Sequence, residues 1–156
     1  VLVGTAGAYP GGPPIGSVVC ARRVGWAHGV AELGLGYVPR APEDLETDPD
    51  LRAQLGLPEA DVVTVGAITT SPELAAVLAR RGQVEHMEAW SVARAAQRAG
   101  VPFAAVLGVT NEVGPDAHAA WKANREEVEA RARQAAAVLL KGRVGTARRG
   151  RDTNGR

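Results

Sequence analysis

At 156 residues the chain fits one domain, since compact domains commonly run to about 100–200 residues. Its hydrophobic fraction is 46% but aromatics make up only 4%, so the core must be built from Ala, Val and Leu, with helices packed closely on a sheet. Eighteen basic residues against seventeen acidic ones give a formal charge of +1, which excludes a domain-wide electrostatic footprint for nucleic acid. One cysteine, Cys20, excludes both an intramolecular disulfide and a cysteine-ligated zinc cluster. No apolar run approaches the roughly 18 residues of a membrane helix, and the first residues carry no secretory pattern. The cytoplasm is the expected compartment, with no nucleic-acid or membrane partner.

The chain opens on Val1 with a strand, "VLVG", already under way, so the numbering is expected to start inside a longer protein. "GTAGAYPGGPPIG" follows and reads as a loop, because Gly and Pro forbid regular structure over most of it. "SVVCARRV" (17–24) reads as a second strand, and residues 30–48 as irregular. Asp48-Pro49 supplies an N-cap and a first-turn proline for a short helix ending near Gly56. "ADVVTVGAIT" (60–69) is a continuous β-branched run of the kind buried on both faces of a parallel sheet. Ser71-Pro72-Glu73 starts a helix that stops at Gly82, and "QVEHM" is briefly extended. A helix from about residue 87 to Ala99 closes on Gly100, with Pro102 barring its continuation. "VPFAAVLGV" is a strand, and a long helix runs from about Asp116 to Lys141 with Val128, Ala132, Ala135 and Leu139 on one buried stripe. Residues 141–156 hold six of the eighteen cations and almost no apolar surface; the domain is therefore set at 1–141 and a basic, disordered tail at 142–156. Strands alternating with helices predict an α/β fold around a largely parallel sheet.

In open α/β sheets ligands bind beyond the carboxyl ends of strands, which selects three points: "GTAGA", Met87-Glu88 and Thr110-Asn111. "GTAGA" fails as a dinucleotide fingerprint because Tyr9, Pro10, Pro13 and Pro14 intervene where a helix would have to start. It reads instead as a small-residue turn that lets a ligand approach, with the Thr5 hydroxyl and exposed amides nearby. Each polar residue also has a purely structural explanation. Glu88 suits the positive N-terminus of a helix, and Asn111 suits a turn that needs positive φ. Trp90 reads as core packing. His28, His86 and His118 read as surface or capping histidines.

The order "VEHMEAWSVARAAQRAGVPFAAVLGVTNEVG" resembles the nucleoside phosphorylase and nucleosidase superfamily, in which a Met-Glu pair opens a helix and a Ser-Asp or Thr-Asn pair follows the next strand. "GTAGA" is similar to the family's earlier small-residue turn, and "PPIGSVV" to the segment after it, with Ser17 where Asp is usual. The resemblance covers Val1 to about Leu140 and implies a three-layer α/β/α fold whose first strand and glycine loop would precede Val1. It assigns Glu88 to the ribose hydroxyls, Met87 to packing against the sugar, and Asn111 to the leaving purine as the catalytic residue. Thr5, Ala6 and Gly7 would line the nucleophile and base region. A carboxylate accepting two hydroxyl protons and an adaptable thioether wall suit those roles.

Asn at position 111, rather than Asp, accompanies 6-oxopurines in this family. The resemblance therefore implies cleavage of an N-glycosidic bond with release of a base such as hypoxanthine, as in trimeric purine phosphorylases or futalosine hydrolases. Phosphorolysis and hydrolysis both stay open, with inorganic phosphate as the alternative co-substrate; Leu2, where hexameric phosphorylases carry a phosphate-binding arginine, tilts toward water. No other cofactor and no metal is expected. A homo-oligomer is implied by the resemblance. The competing class is a nucleoside-binding domain of the same fold without turnover.

Overall fold

A computed structural model of the chain describes residues 1–141, so the expected tail at 142–156 lies outside the described residues. The elements are β1 (Leu2–Ala8), β2 (Val18–Trp26), α1 (Gly29–Glu32), β3 (Leu45–Glu46), α2 (Pro49–Leu55), β4 (Glu59–Thr64), α3 (Pro72–Leu78), β5 (Val84–His86), α4 (Ala89–Arg98), β6 (Ala105–Glu112) and α5 (Ala117–Ala136). Two helix starts follow the cap logic of the sequence. Asp48 accepts from the Leu51 N–H at 2.9 Å with Pro49 in the first turn, and the Ser71 hydroxyl oxygen accepts from the Leu74 N–H at 3.2 Å. Gly56 and Gly100 take φ of 59° and 64° behind α2 and α4, the left-handed C′ geometry that glycine adopts without a Cβ clash. The expected irregular stretch 30–48 contains the end of α1 and the short strand β3.

The expectation of a largely parallel sheet is corrected by the topology. Strand order is β3-β2-β4-β5-β1-β6, and β6 pairs back onto β2, closing the sheet into a barrel. The β1–β6, β2–β4 and β4–β5 ladders are parallel, whereas β1–β5, β2–β3 and β2–β6 are antiparallel. Neighbours joined through a helix, such as β4 and β5, obey the crossover rule for parallel strands. The departure comes from β2, which follows β1 through a Pro- and Gly-rich connection with no helix. Opposite the edge it shares with β4, β2 pairs first with β6 at Val18–Cys20 and then with β3 at Arg23 and Val24. A register shift between Ala21 and Arg23 marks an irregularity of the kind that bends a strand and lets one strand serve both neighbours.

Small side chains make this closure possible. One core cluster joins Ala6, Ala8, Val62, Val84, Leu107 and Val109 to Ala89 and Ala93 of α4. A second sets Cys20, Leu55, Ala104 and Val106 against Ala132 of α5, and a third packs Leu78 of α3 on Tyr9, Val63 and Val65. At Gly108 a Cβ would lie 2.4 Å from Val128 Cγ1 and 2.9 Å from the Val128 carbonyl oxygen. Glycine at that strand position is what allows α5 to lie directly on β6. Trp90 is half-buried against the first cluster, meets Trp26 edge-on at 5.8 Å and donates its indole N–H to the Glu43 carbonyl, in keeping with a packing role.

Candidate active site

β1 and β5 share two register pairs, Gly7 with Glu85 and Ala8 with Val84. A cavity of about 330 Å³ lies between these strands and the start of α5. All six residues selected from the sequence line it: Thr5, Ala6 and Gly7 from β1, Met87 and Glu88 from the β5–α4 junction, and Asn111 from β6.

Their local structure differs from expectation in two respects. Thr5, Ala6 and Gly7 lie within β1, in register with β6 from Leu2 opposite Ala105 to Ala8 opposite Glu112. They are not a turn, and no anion-binding turn of exposed amides exists there, because small residues of weak intrinsic preference take the structure that the neighbouring strand imposes. Asn111 likewise sits inside β6, and no non-glycine residue described has positive φ; the turn explanation for it falls. The register jumps from Ala6 opposite Val109 to Gly7 opposite Asn111, leaving Thr110 as an extra residue in β6. Such bulges re-aim side chains beside binding sites.

Asn111 is 7% exposed, and its amide is oriented without ambiguity. Nδ2 donates to the Glu112 carbonyl at 2.9 Å, a group that can only accept, and Oδ1 accepts from the Thr110 hydroxyl at 2.8 Å. One amide N–H and one oxygen lone pair are left over. A Cβ on residue 7 would stand 2.9 Å from Asn111 Nδ2, so Gly7 provides the space in which the amide faces the cavity.

Glu88 occupies the N-cap position of α4, yet its side chain makes no capping hydrogen bond. That duty falls to His86: its Nδ1 accepts from the N–H groups of Glu88 and Ala89 at 3.0 and 3.1 Å. The Glu88 carboxylate therefore stands at the positive end of α4 without a capping bond of its own, 66% exposed beside the cavity. Burial holds the His86 imidazole below its ordinary pKa, partly offset by the nearby Glu88 carboxylate. Met87 is partly exposed at the rim.

Residues not assigned to the site from the sequence complete the walls. Buried Glu85 accepts from the Tyr9 hydroxyl at 2.9 Å and the Thr69 N–H at 3.1 Å. Burial first, then the Glu85 charge, pushes the Tyr9 phenol above its ordinary value, which keeps it a proton donor to that carboxylate. From α5, the Trp121 indole N–H donates to Thr5 Oγ1 at 3.2 Å, so the hydroxyl's own proton is not used in that bond. Trp121 is stacked with His118 at 5.7 Å and carries the Arg125 guanidinium over its ring at 4.9 Å; spacing of three and four along a helix brings these side chains onto one face. That spacing is the sequence signal for the cluster. His28 lies away from this cavity, on a separate depression beside α1. Among the described residues no group of three or more His, Cys, Asp or Glu could hold a metal ion. Cys20 is buried elsewhere, its thiol pushed up to about 11 mainly by desolvation.

A carboxylate, a fixed amide and a hydroxyl thus line one cavity with apolar walls, the make-up of a small-molecule site. The family model of the Phosphorylase superfamily matches residues 1–144. Futalosine hydrolase of Thermus thermophilus is 35% identical over 154 residues, covering 89% of this chain and 68% of that protein. Among solved structures, a futalosine hydrolase mutant of Helicobacter pylori superposes with a TM-score of 0.74 at 22% identity over 92% of this chain and 67% of the other. A mutant of the H. pylori nucleosidase MTAN, with 5'-methylthioadenosine in its active site, gives 0.71 at 22% over 89% and 65%. At that identity the two superpositions establish the fold alone. The chain spans about two thirds of the length of each. The relatives named here are hydrolases or nucleosidases, which leaves phosphorolysis without support from them. Their named ligand is a nucleoside rather than a free purine base, and it carries a 6-aminopurine; restriction of the released base to 6-oxopurines is not carried by these likenesses.

Proposed function

The chain belongs to the Phosphorylase superfamily, and on that premise we propose that it forms the sugar- and base-binding part of a nucleosidase that hydrolyses the N-glycosidic bond of a futalosine-type nucleoside. The observation that carries this reading is the meeting of Glu88, Met87, Asn111 and Thr5 around one cavity. The Glu88 carboxylate is not engaged by the helix it begins. In this reading Glu88 accepts from the ribose hydroxyls, Met87 packs on the sugar, and Thr5, Ala6 and Gly7 border the space between sugar and base.

Cleavage leaves the ribose cation-like while the departing purine gathers negative charge. A donor that tightens on the base as that charge grows stabilises the transition state more than the ground state. The uncommitted N–H of Asn111 suits that task, and a purine presenting N7 and O6 as acceptors suits Asn111. A donor to N7 serves either class of purine, so the proposal of a 6-oxopurine such as hypoxanthine as the leaving group rests on the likeness to futalosine hydrolases, with water as nucleophile in line with the hydrolytic relatives. An Asp at this position would have to carry a proton to replace the bond to the Glu112 carbonyl.

The test is base release by the protein from futalosine, inosine and 5'-methylthioadenosine, each with and without inorganic phosphate. Hypoxanthine release that is independent of phosphate is expected. A strict requirement for phosphate would overturn hydrolysis, preferential release of adenine would overturn the base assignment, and no release from any of the three would favour a binding domain without turnover.

A further inference from the structure

The arrangement at the start of α4 assigns a task to a residue that the nucleosidase reading does not use. His86 Nδ1 accepts two backbone N–H groups, those of Glu88 and Ala89, so Nδ1 has no proton and the neutral ring carries its proton on Nε2. Glu88 Oε2 stands 3.3 Å from the same Nδ1. With Nδ1 unprotonated there is no hydrogen between the two atoms and nothing binds the carboxylate to the ring. We infer that His86 is a positioning residue: neutral, it caps α4 and leaves the Glu88 carboxylate to the sugar, and protonated at Nδ1 it releases the cap and draws that carboxylate onto itself. The inference rests on the proposed role of Glu88 in sugar binding.

The geometry contains both states within one contact distance. A proton on Nδ1 converts an acceptor into a donor, so the N–H groups of Glu88 and Ala89 lose their partner at the same moment as Glu88 Oε2 gains one. Nucleoside affinity then falls because the sugar's acceptor is occupied, not because the fold is lost. The surroundings keep the switch on the neutral side at neutral pH. The His86 side chain is 7% exposed, and the helix N-terminus beside it disfavours positive charge.

Other groups around the ring leave Glu88 as its nearest charged partner. On β5 the Glu85 carboxylate is taken up by Tyr9 and Thr69. Gly4 of β1 faces Nε2, where a Cβ would stand 3.3 Å away, and brings no charge. Thr64 of β4 is the register partner of His86 and uses its hydroxyl oxygen for the Trp90 N–H. On α5, His118 lines the same cavity. Because burial lowers the imidazole's affinity for a proton in the folded state, the unfolded chain takes up that proton first as pH falls. Stability is therefore full above the ordinary histidine value of about 6.5 and declines from there down to the lowered folded value.

The experiment is a histidine-nitrogen NMR titration of the protein run alongside inosine and futalosine affinity over the same pH range. The expected result is the Nε2–H tautomer for His86 at neutral pH, and Glu88 and Ala89 amide signals that titrate with the ring. Below that midpoint affinity falls about tenfold per pH unit, the slope for uptake of one proton. His86→Asn keeps an acceptor for the cap but cannot titrate, so the ratio of its affinities above and below the wild-type midpoint should stay within about twofold. A proton on Nδ1 at neutral pH, or an acid limb unchanged in His86→Asn, would overturn the inference. If neither nucleoside binds at any pH, the proposed function fails while the tautomer and the two amide titrations still decide the capping switch.

Discussion

Asn111 shows how a single side chain is held in one orientation. Three neighbours restrict it: the Glu112 carbonyl fixes which end is nitrogen, the Thr110 hydroxyl fixes the other end, and Gly7 leaves the room. Replacing Asn111 by Ala should lower turnover by about 10²–10³, the range for losing one transition-state hydrogen bond, with little change in folding cooperativity. Steady-state base release paired with a thermal melt checks this, and full activity in the variant would remove Asn111 from the base site. The six residues that meet at the cavity were legible because their types and order belong to one pattern. His86, read as a surface or capping histidine, does cap, through the backbone N–H groups two and three positions on. The contact of Trp121 was not legible, because its partner is a hydroxyl 116 positions earlier in the chain.

Elements whose ends are written in cap chemistry were read closely. α2 begins behind Asp48 and α3 behind Ser71 as expected. α3 stops at Leu78 rather than Gly82, with turn hydrogen bonds from Arg80 and Arg81 to Val77 and Leu78. Strands fared less well where side chains are small. The "GTAGA" stretch carries no strand signal of its own and becomes β1 between β6 and β5. β6 itself starts at Ala105, later than its apolar run, and continues through Asn111 to Glu112. The contact between β6 and α5 offers a direct test. Gly108→Ala should destabilise the protein by about 1–3 kcal/mol through overpacking against Val128, measured as a lowered denaturation midpoint. An unchanged midpoint would mean that α5 can lift off the strand at little cost.

At the scale of the whole molecule, α/β composition was legible and closure was not, since closure depends on which edge β2 offers to β6 and no hydrophobic period encodes that choice. The barrel has a measurable consequence. β6 is buried from Ala105 to Asn111 and is paired with β1 on one side and β2 on the other. Its Val106–Val109 amides should exchange with solvent at the rate of global unfolding, more slowly than those of the short α3, as hydrogen–deuterium exchange followed by NMR would reveal. Faster exchange in β6 than in α3 would mean that the seam with β2 opens on its own. Closure also bears on how copies of this chain can meet. Among the described strands β3, two residues long, has a single neighbour, β2, and so short a rim offers few open N–H and C=O groups to a foreign strand. Among the described residues, the edge of β3 is thereby a poor template for a further strand.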